Sequence, residues 1–314
     1  MTDLIAVGEV LIDLTQTGVG DAGVRQYAAN PGGAPANVAV AAARLGAKAG
    51  FVGKVGQDAF GGALRQVLVD NGVEVAGLYD TAAAPTTLAV VSLDEKGDRS
   101  FTFYRAPGAD TLLTPEEAEQ ALTEAPKFLH FGSVSLTADP ARSATLAAAQ
   151  KAKAMDALVS YDPNYRANLW PDEATAKRWM KEPVGLCDVI KLSEEELPLL
   201  TGTDDLMEGT RQLVEQGITL VLVTLGDAGA FYRVGETTGQ VPGVATKVAD
   251  TNGAGDTFLG AVLSRLVRRG AQPLQGLDQK TMEEILTFAN RAASLTCSRS
   301  GAIPAMPTLA ELGE

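Results

Sequence analysis

The chain has 314 residues, 46% hydrophobic and 21% charged, enough for a large core in one or two domains. A formal net charge of −13 disfavours nucleic acid and anionic membrane as partners. One histidine and two cysteines cannot build a typical zinc site and need no disulfide, and His130, in a strand-like run that reads as core, disfavours a His-dependent triad.

Residues 4–9 read as a short buried strand; with no basic flank and no long apolar run they do not read as a signal peptide. No apolar run reaches the length of a membrane span, and a reducing cytoplasm is expected. Residues 12–30 are turn-rich. Within them Gly18-Val-Gly-Asp-Ala-Gly23 matches G-x-G-x-x-G, but the next residues, 24–31, are poorly helical and end in Pro31. Dinucleotide binding is rejected on that context. A helix is expected over 35–45, with Gly46 as its terminating glycine, then a strand over 49–54 and a helix over 59–70. Residues 86–93 and 99–105 alternate around a turn at 94–98 and predict a β-hairpin, part of a small antiparallel sheet inserted in the chain and placed to cover a site.

Thr114-Pro-Glu-Glu117 predicts a capped helix over 114–122. A strand over 127–132 carries His130, which reads as a core residue, and Asp139-Pro140 starts a helix over 140–154. Strands are expected over 157–161, 188–192 and 219–224, and helices over 194–200, 205–216, 254–268 and 281–297, the first of these opened by a capping box at Ser193-Glu-Glu-Glu196. Continuous apolar strands between helices indicate a parallel sheet covered on both faces.

Polar clusters come after these elements. Asp250-Thr-Asn-Gly-Ala-Gly-Asp256 places a glycine turn, then a carboxylate, at the start of a helix. Such a turn bares backbone N–H groups toward an anion. A carboxylate there fits a base beside a phosphoryl group in transfer: Asp256 takes the proton, and Gly253, Ala254 and Gly255 supply the anion cradle. Gly32-Gly-Ala-Pro-Ala-Asn37 reads equally as a ligand cradle or a plain loop-to-helix junction. Asp13, in Glu9-Val-Leu-Ile-Asp13, could accept bonds from vicinal hydroxyls or be an ordinary loop residue. Arg166, in Asp162-Pro-Asn-Tyr-Arg166, and Arg105 could supply fixed positive charge; as lone arginines they read as surface residues. Lys191-Leu-Ser-Glu194 and Thr224-Leu-Gly-Asp-Ala-Gly229 come after strands and suit a nucleotide, with Glu194 toward Mg²⁺ directly or through water. In a doubly wound sheet the carboxyl ends of the strands share one face, so these clusters converge.

These residues resemble the ribokinase/PfkB carbohydrate kinases. Gly32-Gly-Ala-Pro-Ala-Asn-Val-Ala-Val40 is similar to the family's first signature and Asp250 to Asp256 to its second, where Asn252 is more often Thr. Asn30 to Asn37, Phe103 to Asp110, Asp162 to Arg166 with Leu169-Trp170, and Ser298 to Pro304 are most similar to the bacterial fructokinase branch. The resemblance implies one kinase domain over 1–314. Its fold is a ribokinase-like three-layer α/β/α sandwich with a mostly parallel sheet and a small β-sheet lid from about 12–30 and 77–106. It implies an ATP-dependent phosphotransferase acting on a ketose, with Asp256 as base. Asp13, Gly33, Asn37, Arg105 and Arg166 match sugar-side positions, and Lys191, Thr224, Gly226, Gly229 and Asn290 nucleotide-side positions. MgATP is the implied donor, with Glu194 on the metal; the Asn of the family's Asn-x-x-Glu motif is replaced by Lys191. A monovalent-cation (K⁺) site near Asp250, Asn252, Thr296, Arg299 and Gly301 is also implied. The alternatives are a 2-keto-3-deoxygluconate kinase, whose acid substrate would pair with Arg105 and Arg166, a ribokinase, and an inactive sugar or nucleotide sensor. An open lid edge predicts a homodimer.

Overall fold

The computed structural model describes residues 2–93 and 99–314; the expected turn at 94–98 lies outside the described residues. In chain order the elements are β1 (Leu4–Val7), β2 (Leu11–Val19), β3 (Arg25–Gly32), α1 (Ala34–Arg44), β4 (Ala49–Gly56), α2 (Ala59–Asp70), β5 (Glu74–Thr81), β6 (Leu88–Leu93), β7 (Arg99–Tyr104), α3 (Pro115–Ala121) and β8 (Phe128–Gly132). They continue with α4 (Ala141–Ala154), β9 (Leu158–Asp162), α5 (Glu173–Lys181), β10 (Val189–Ser193), α6 (Leu197–Thr201), α7 (Leu206–Glu215), β11 (Leu220–Thr224), β12 (Ala230–Val234), β13 (Thr237–Val241), α8 (Ala254–Val267) and α9 (Gln279–Cys297).

Nine strands form one sheet in the order β13-β12-β11-β10-β9-β8-β1-β4-β5, parallel except for the antiparallel β12 and β13. Strand alternation separates two cores. Ile5, Val7, Leu129, Phe131, Val159, Tyr161, Ile190, Leu192, Val221 and Val223 face α3 to α7. Leu4, Phe128, Val189, Leu220 and Leu222 face α1, α8 and α9, and Ala6 and Phe51 meet α1 and α2 on the same side. The three-layer sandwich is therefore present, with both sheet faces covered. Between α1 and α8 the backbones nearly touch: a Cβ at Gly260 would lie 2.6 Å from Ala41 Cβ and 2.9 Å from Val38 O.

A second sheet has the order β3-β2-β6-β7. The expected hairpin is there, β6 pairing antiparallel with β7. Two expectations are corrected. β2 runs parallel to β6, so the small sheet is mixed. Residues 77–81 belong to β5 on the edge of the large sheet, so the second half of the small sheet begins at Leu88. The turn-rich stretch 12–30 contains two paired strands with a bulge between Gln16 and Gly18, and the G-x-G-x-x-G match lies at their hairpin turn.

Two of the expected caps hold, while the capping box expected at Ser193 does not form: the N-cap of α6 is Glu196, without a side-chain cap bond. Thr114 and Glu117 form both bonds of the capping box, and Gly46 (φ +90°) ends α1. α6 begins at Leu197, later than expected, because Glu196 turns back: its Oε2 accepts the Ser193 N–H (2.8 Å) and its Oε1 the Tyr165 N–H (2.6 Å). His130 is a core residue, 1% exposed, with Nδ1 3.2 Å from Ser160 Oγ; burial holds its pKa down at about 3.

Candidate active site

The base candidate stands in the first turn of α8. Gly253 enters with φ +77°, and Ala254, Gly255 and Asp256 are the first three helical residues. Their N–H groups have no partner four residues back in the helix; the Ala254 N–H makes a 3.3 Å turn bond to Thr251 O. The helix dipole adds positive potential there.

Asp256 is 7% exposed, and each of its oxygens receives one amide: Asn37 Nδ2 donates to Oδ2 (2.8 Å) and Asn164 Nδ2 to Oδ1 (3.1 Å). Burial and the neighbouring Asp162 carboxylate push its pKa up to about 6, against the pull of the Asn37 bond, Lys191 and Arg166. Asp13 is 8% exposed and also pushed up to about 6, by burial first, while Asn252 Nδ2 donates weakly to it at 3.5 Å. Asp13, Gly33, Asn37, Arg166, Asn252 and Asp256 line one cavity. Gly33 (φ +107°) is required there, since a Cβ would lie 2.5 Å from Glu9 O.

Sequence reasoning missed two lining residues. Asn164 (φ +44°) sits two positions after Asp162 in an Asx turn, its N–H donating to Asp162 Oδ1 (3.1 Å). The Asp-x-Asn spacing was the available signal. Glu9 caps the start of α1 through Oε1 and the Ala34 N–H (3.1 Å), while its buried Oε2 has no hydrogen-bond partner among the described residues. Burial raises the Glu9 pKa to about 7.

Arg105, expected on the sugar side, is engaged within the protein. Its side chain is 6% exposed and its guanidinium is used inside the protein: Nε to Asp110 Oδ2 (2.7 Å), Nη1 to Thr137 Oγ1 (2.6 Å) and Nη2 to Val134 O (3.1 Å). It fastens the end of β7 to the large domain and is not among the cavity's lining residues.

Of the residues expected on the nucleotide side, Gly229 and Asn290 meet in one wall at the end of β13, and Thr224 and Gly226 lie just before Gly229 in the chain. A Cβ on Gly229 would lie 2.1 Å from Val241 O, and Asn290 Nδ2 donates to Val241 O (3.1 Å) and Pro242 O (3.0 Å). Lys191 departs from this wall. Its position in β10 points it at α8: it is 6% exposed, ion-paired with Asp162 Oδ2 (3.0 Å), and its Nζ lies 3.0 Å from where a Gly255 Cβ would stand.

Glu194 is exposed and its N–H donates to Thr224 O (3.1 Å). Among the described residues no group of three His, Cys, Asp or Glu could hold a metal ion. A single carboxylate such as Glu194 would fit Mg²⁺ carried mainly by phosphate oxygens and water, not a protein cage. In the expected monovalent-cation region, Asp250 accepts the Asn252 N–H (2.8 Å) and the Gly301 N–H (3.0 Å). The side chains of Thr296 and Arg299 point elsewhere, to Thr257 Oγ1 (3.0 Å) and to Glu311 (2.5 Å).

The sequence profile of the pfkB family carbohydrate kinases matches residues 1–309, and the chain belongs to this family of sugar kinases, phosphotransferases with an alcohol acceptor. It is 44% identical to fructokinase-1 of Oryza sativa subsp. japonica, over 98% of this chain and 96% of the relative. Among solved structures it is similar to the Xylella fastidiosa fructokinase with bound ATP: TM-score 0.90, 33% identity, covering 99% of this chain and 97% of that one. It is also similar to a double mutant of the Vibrio cholerae O395 fructokinase bound to fructose, ADP and potassium ion: TM-score 0.89, 37% identity, covering 99% and 97%.

Proposed function

We propose that this chain, as a single kinase unit, transfers the γ-phosphoryl group of MgATP to the primary hydroxyl of D-fructose, giving fructose 6-phosphate. The observation that carries fructose over an acid sugar is the charge of the cavity. Three carboxylates line it (Glu9, Asp13, Asp256) against one guanidinium, Arg166, while Arg105 is consumed by Asp110. A sugar acid would meet net repulsion; a neutral ketose offers hydroxyl donors that these carboxylates accept. The Oryza, Xylella and Vibrio relatives are fructokinases.

Asp13, Asn37 and Arg166 orient the sugar with its primary hydroxyl beside Asp256. Asp256 takes the hydroxyl proton as that oxygen attacks the γ-phosphorus in line, and the bond to the bridging β,γ-oxygen breaks. The Ala254, Gly255 and Asp256 N–H groups hold the charge on the transferring group. A base contributes about 10²–10⁴-fold and an anion hole a comparable factor. Glu194 would hold Mg²⁺, directly or through water, and the ion would supply neutralisation of phosphate charge. Thr224, Gly226, Gly229 and Asn290 form the adenosine side.

The small sheet acts as a lid over the sugar and excludes water. Its exposed Val19, Val24 and Tyr104 (59%, 65% and 62%) fit pairing with a second copy into a homodimer. K⁺ bound to carbonyls beside Asp250 is a further part of the reading, as is a cytoplasmic location; no described helix is long and apolar enough to cross a membrane.

A kcat/KM panel over fructose, 2-keto-3-deoxygluconate, ribose and adenosine, with product position read by NMR, tests the proposal. Fructose 6-phosphate is the expected main product. Clear turnover of the keto-acid with none of fructose would overturn it, and sugar binding without ADP formation would assign a sensor.

A further inference from the structure

The Asp256 carboxylate is fixed from two directions. Asn37 approaches from α1, on the sugar side. Asn164 approaches from the loop after β9, and its left-handed backbone is set by Asp162, which accepts the Asn164 N–H on one oxygen and the Lys191 ammonium on the other. Asp162 (1% exposed) ends β9, and Lys191 (6% exposed) lies in the middle of the neighbouring parallel strand β10. The ammonium also lies directly beneath Gly255. A Cβ at 255 would stand 3.0 Å from this ammonium, which would have to give by a few tenths of an ångström, so the glycine leaves room for the buried cation.

From this geometry we infer that Lys191, Asp162 and Asn164 form a buried positioning relay, which aims the Asp256 carboxylate and places a fixed positive charge under the Gly253–Asp256 turn. The inference rests on the kinase reading. As the sugar proton passes to Asp256, the negative charge beside the turn moves from this carboxylate to the phosphoryl oxygens. Lys191 stays in place through that exchange, so the protein need not reorganise. Asn164 holds Asp256 in its ionised form, the form that can accept a proton. The charged groups facing Asp256 are Asp13 from β2, Asp162 from β9, Arg166 and Lys191. Asp162 and Asp13 raise its proton affinity; Lys191 and Arg166 lower it.

The test is a ¹³C NMR titration of Asp256 in protein labelled at aspartate, with Asp256→Asn giving the assignment, beside steady-state kinetics. In Asn164→Ala the Asp256 titration should move up by about one pH unit, and the acid limb of kcat/KM should move with it. Lys191→Gln keeps a donor to Asp162 but removes the charge. It should lower kcat on the order of tenfold or more, leave sugar KM nearly unchanged, and raise the Asp256 titration. If Lys191→Gln does not fold, the doubly neutral Lys191→Gln/Asp162→Asn variant carries the kcat test. An unmoved Asp256 titration in Asn164→Ala, or wild-type kcat in a folded protein lacking the Lys191 charge, overturns the relay. The titration needs no substrate. If the wild type phosphorylates none of the sugars, the kinase reading fails while the relay is still decided.

Discussion

Asn37 and Asp256 lie 219 positions apart in the chain and meet through a 2.8 Å hydrogen bond. One belongs to the sugar-side signature, the other to the phosphoryl-side turn. The bond makes the base's environment depend on both.

Replacing Asp256 by Asn should remove most turnover, about 10²–10⁴-fold in kcat, while ATP still binds and the circular dichroism spectrum is unchanged. Near wild-type kcat in this variant would sink the assignment of the base.

The wild-type kcat/KM should fall as pH drops through about 6, where Asp256 becomes protonated and can no longer accept the sugar proton. A pH–rate profile for fructose measures this limb. No limb between pH 5 and 7 would place the base elsewhere.

The same shift has a stability consequence. The Asp256 pKa is raised from 3.8 to about 6 on folding, so its ionised form is penalised in the native state. That penalty, on the order of 2–3 kcal/mol, is fully present above about pH 6 and absent below about pH 3.8. Asp256→Asn should therefore gain in Tm over wild type at pH 8 and lose that gain at pH 4. Equal differences at both pH values would contradict the buried, destabilised carboxylate.

Arg105→Ala leaves the 2% exposed Asp110 side chain without its cation. The expected result is a stability loss on the order of 3–5 kcal/mol. A variant with unchanged Tm and a much higher fructose KM would restore Arg105 to the sugar.

Gly229→Ala sets a Cβ 2.1 Å from Val241 O at a backbone angle of +94°. The turn must move, and the KM for ATP should rise by about tenfold or more (about 1.4 kcal/mol), with fructose binding by calorimetry little changed. An unaltered ATP KM would remove this turn from the nucleotide side.

The central parallel strands were legible because both faces are buried and each reads as an apolar run, as in Leu4–Val7 and Leu220–Thr224. β2 and β3 were not. Only four of their seventeen residues are buried, and Gly18, Gly20, Gly23 and Pro31 give a turn signal stronger than their alternation. β5 has an exposed or half-exposed residue at most positions, and β12 and β13 are short antiparallel additions with Arg233 and Gly239 inside them. In the site, Asp256, Asn37 and Asp13 could be read because glycine turns and strand ends frame them. Arg105 and Lys191 could not be placed, since a cation's destination depends on which carboxylate the fold brings to it: Asp110 for one, Asp162 for the other. Asn164 went unremarked because its role lies in a left-handed turn that Asp162 sets.

The close crossing at Gly260 also limits how the enzyme can move. With no side chain at 260, the helix carrying Asp256 comes close to the backbone of the helix carrying Asn37 at Val38 and Ala42. Such close packing opposes separate movement of Asn37 and Asp256. A bulkier residue at 260 would wedge those helices apart and spoil the alignment of the base from a point buried in the core, with no contact to either substrate.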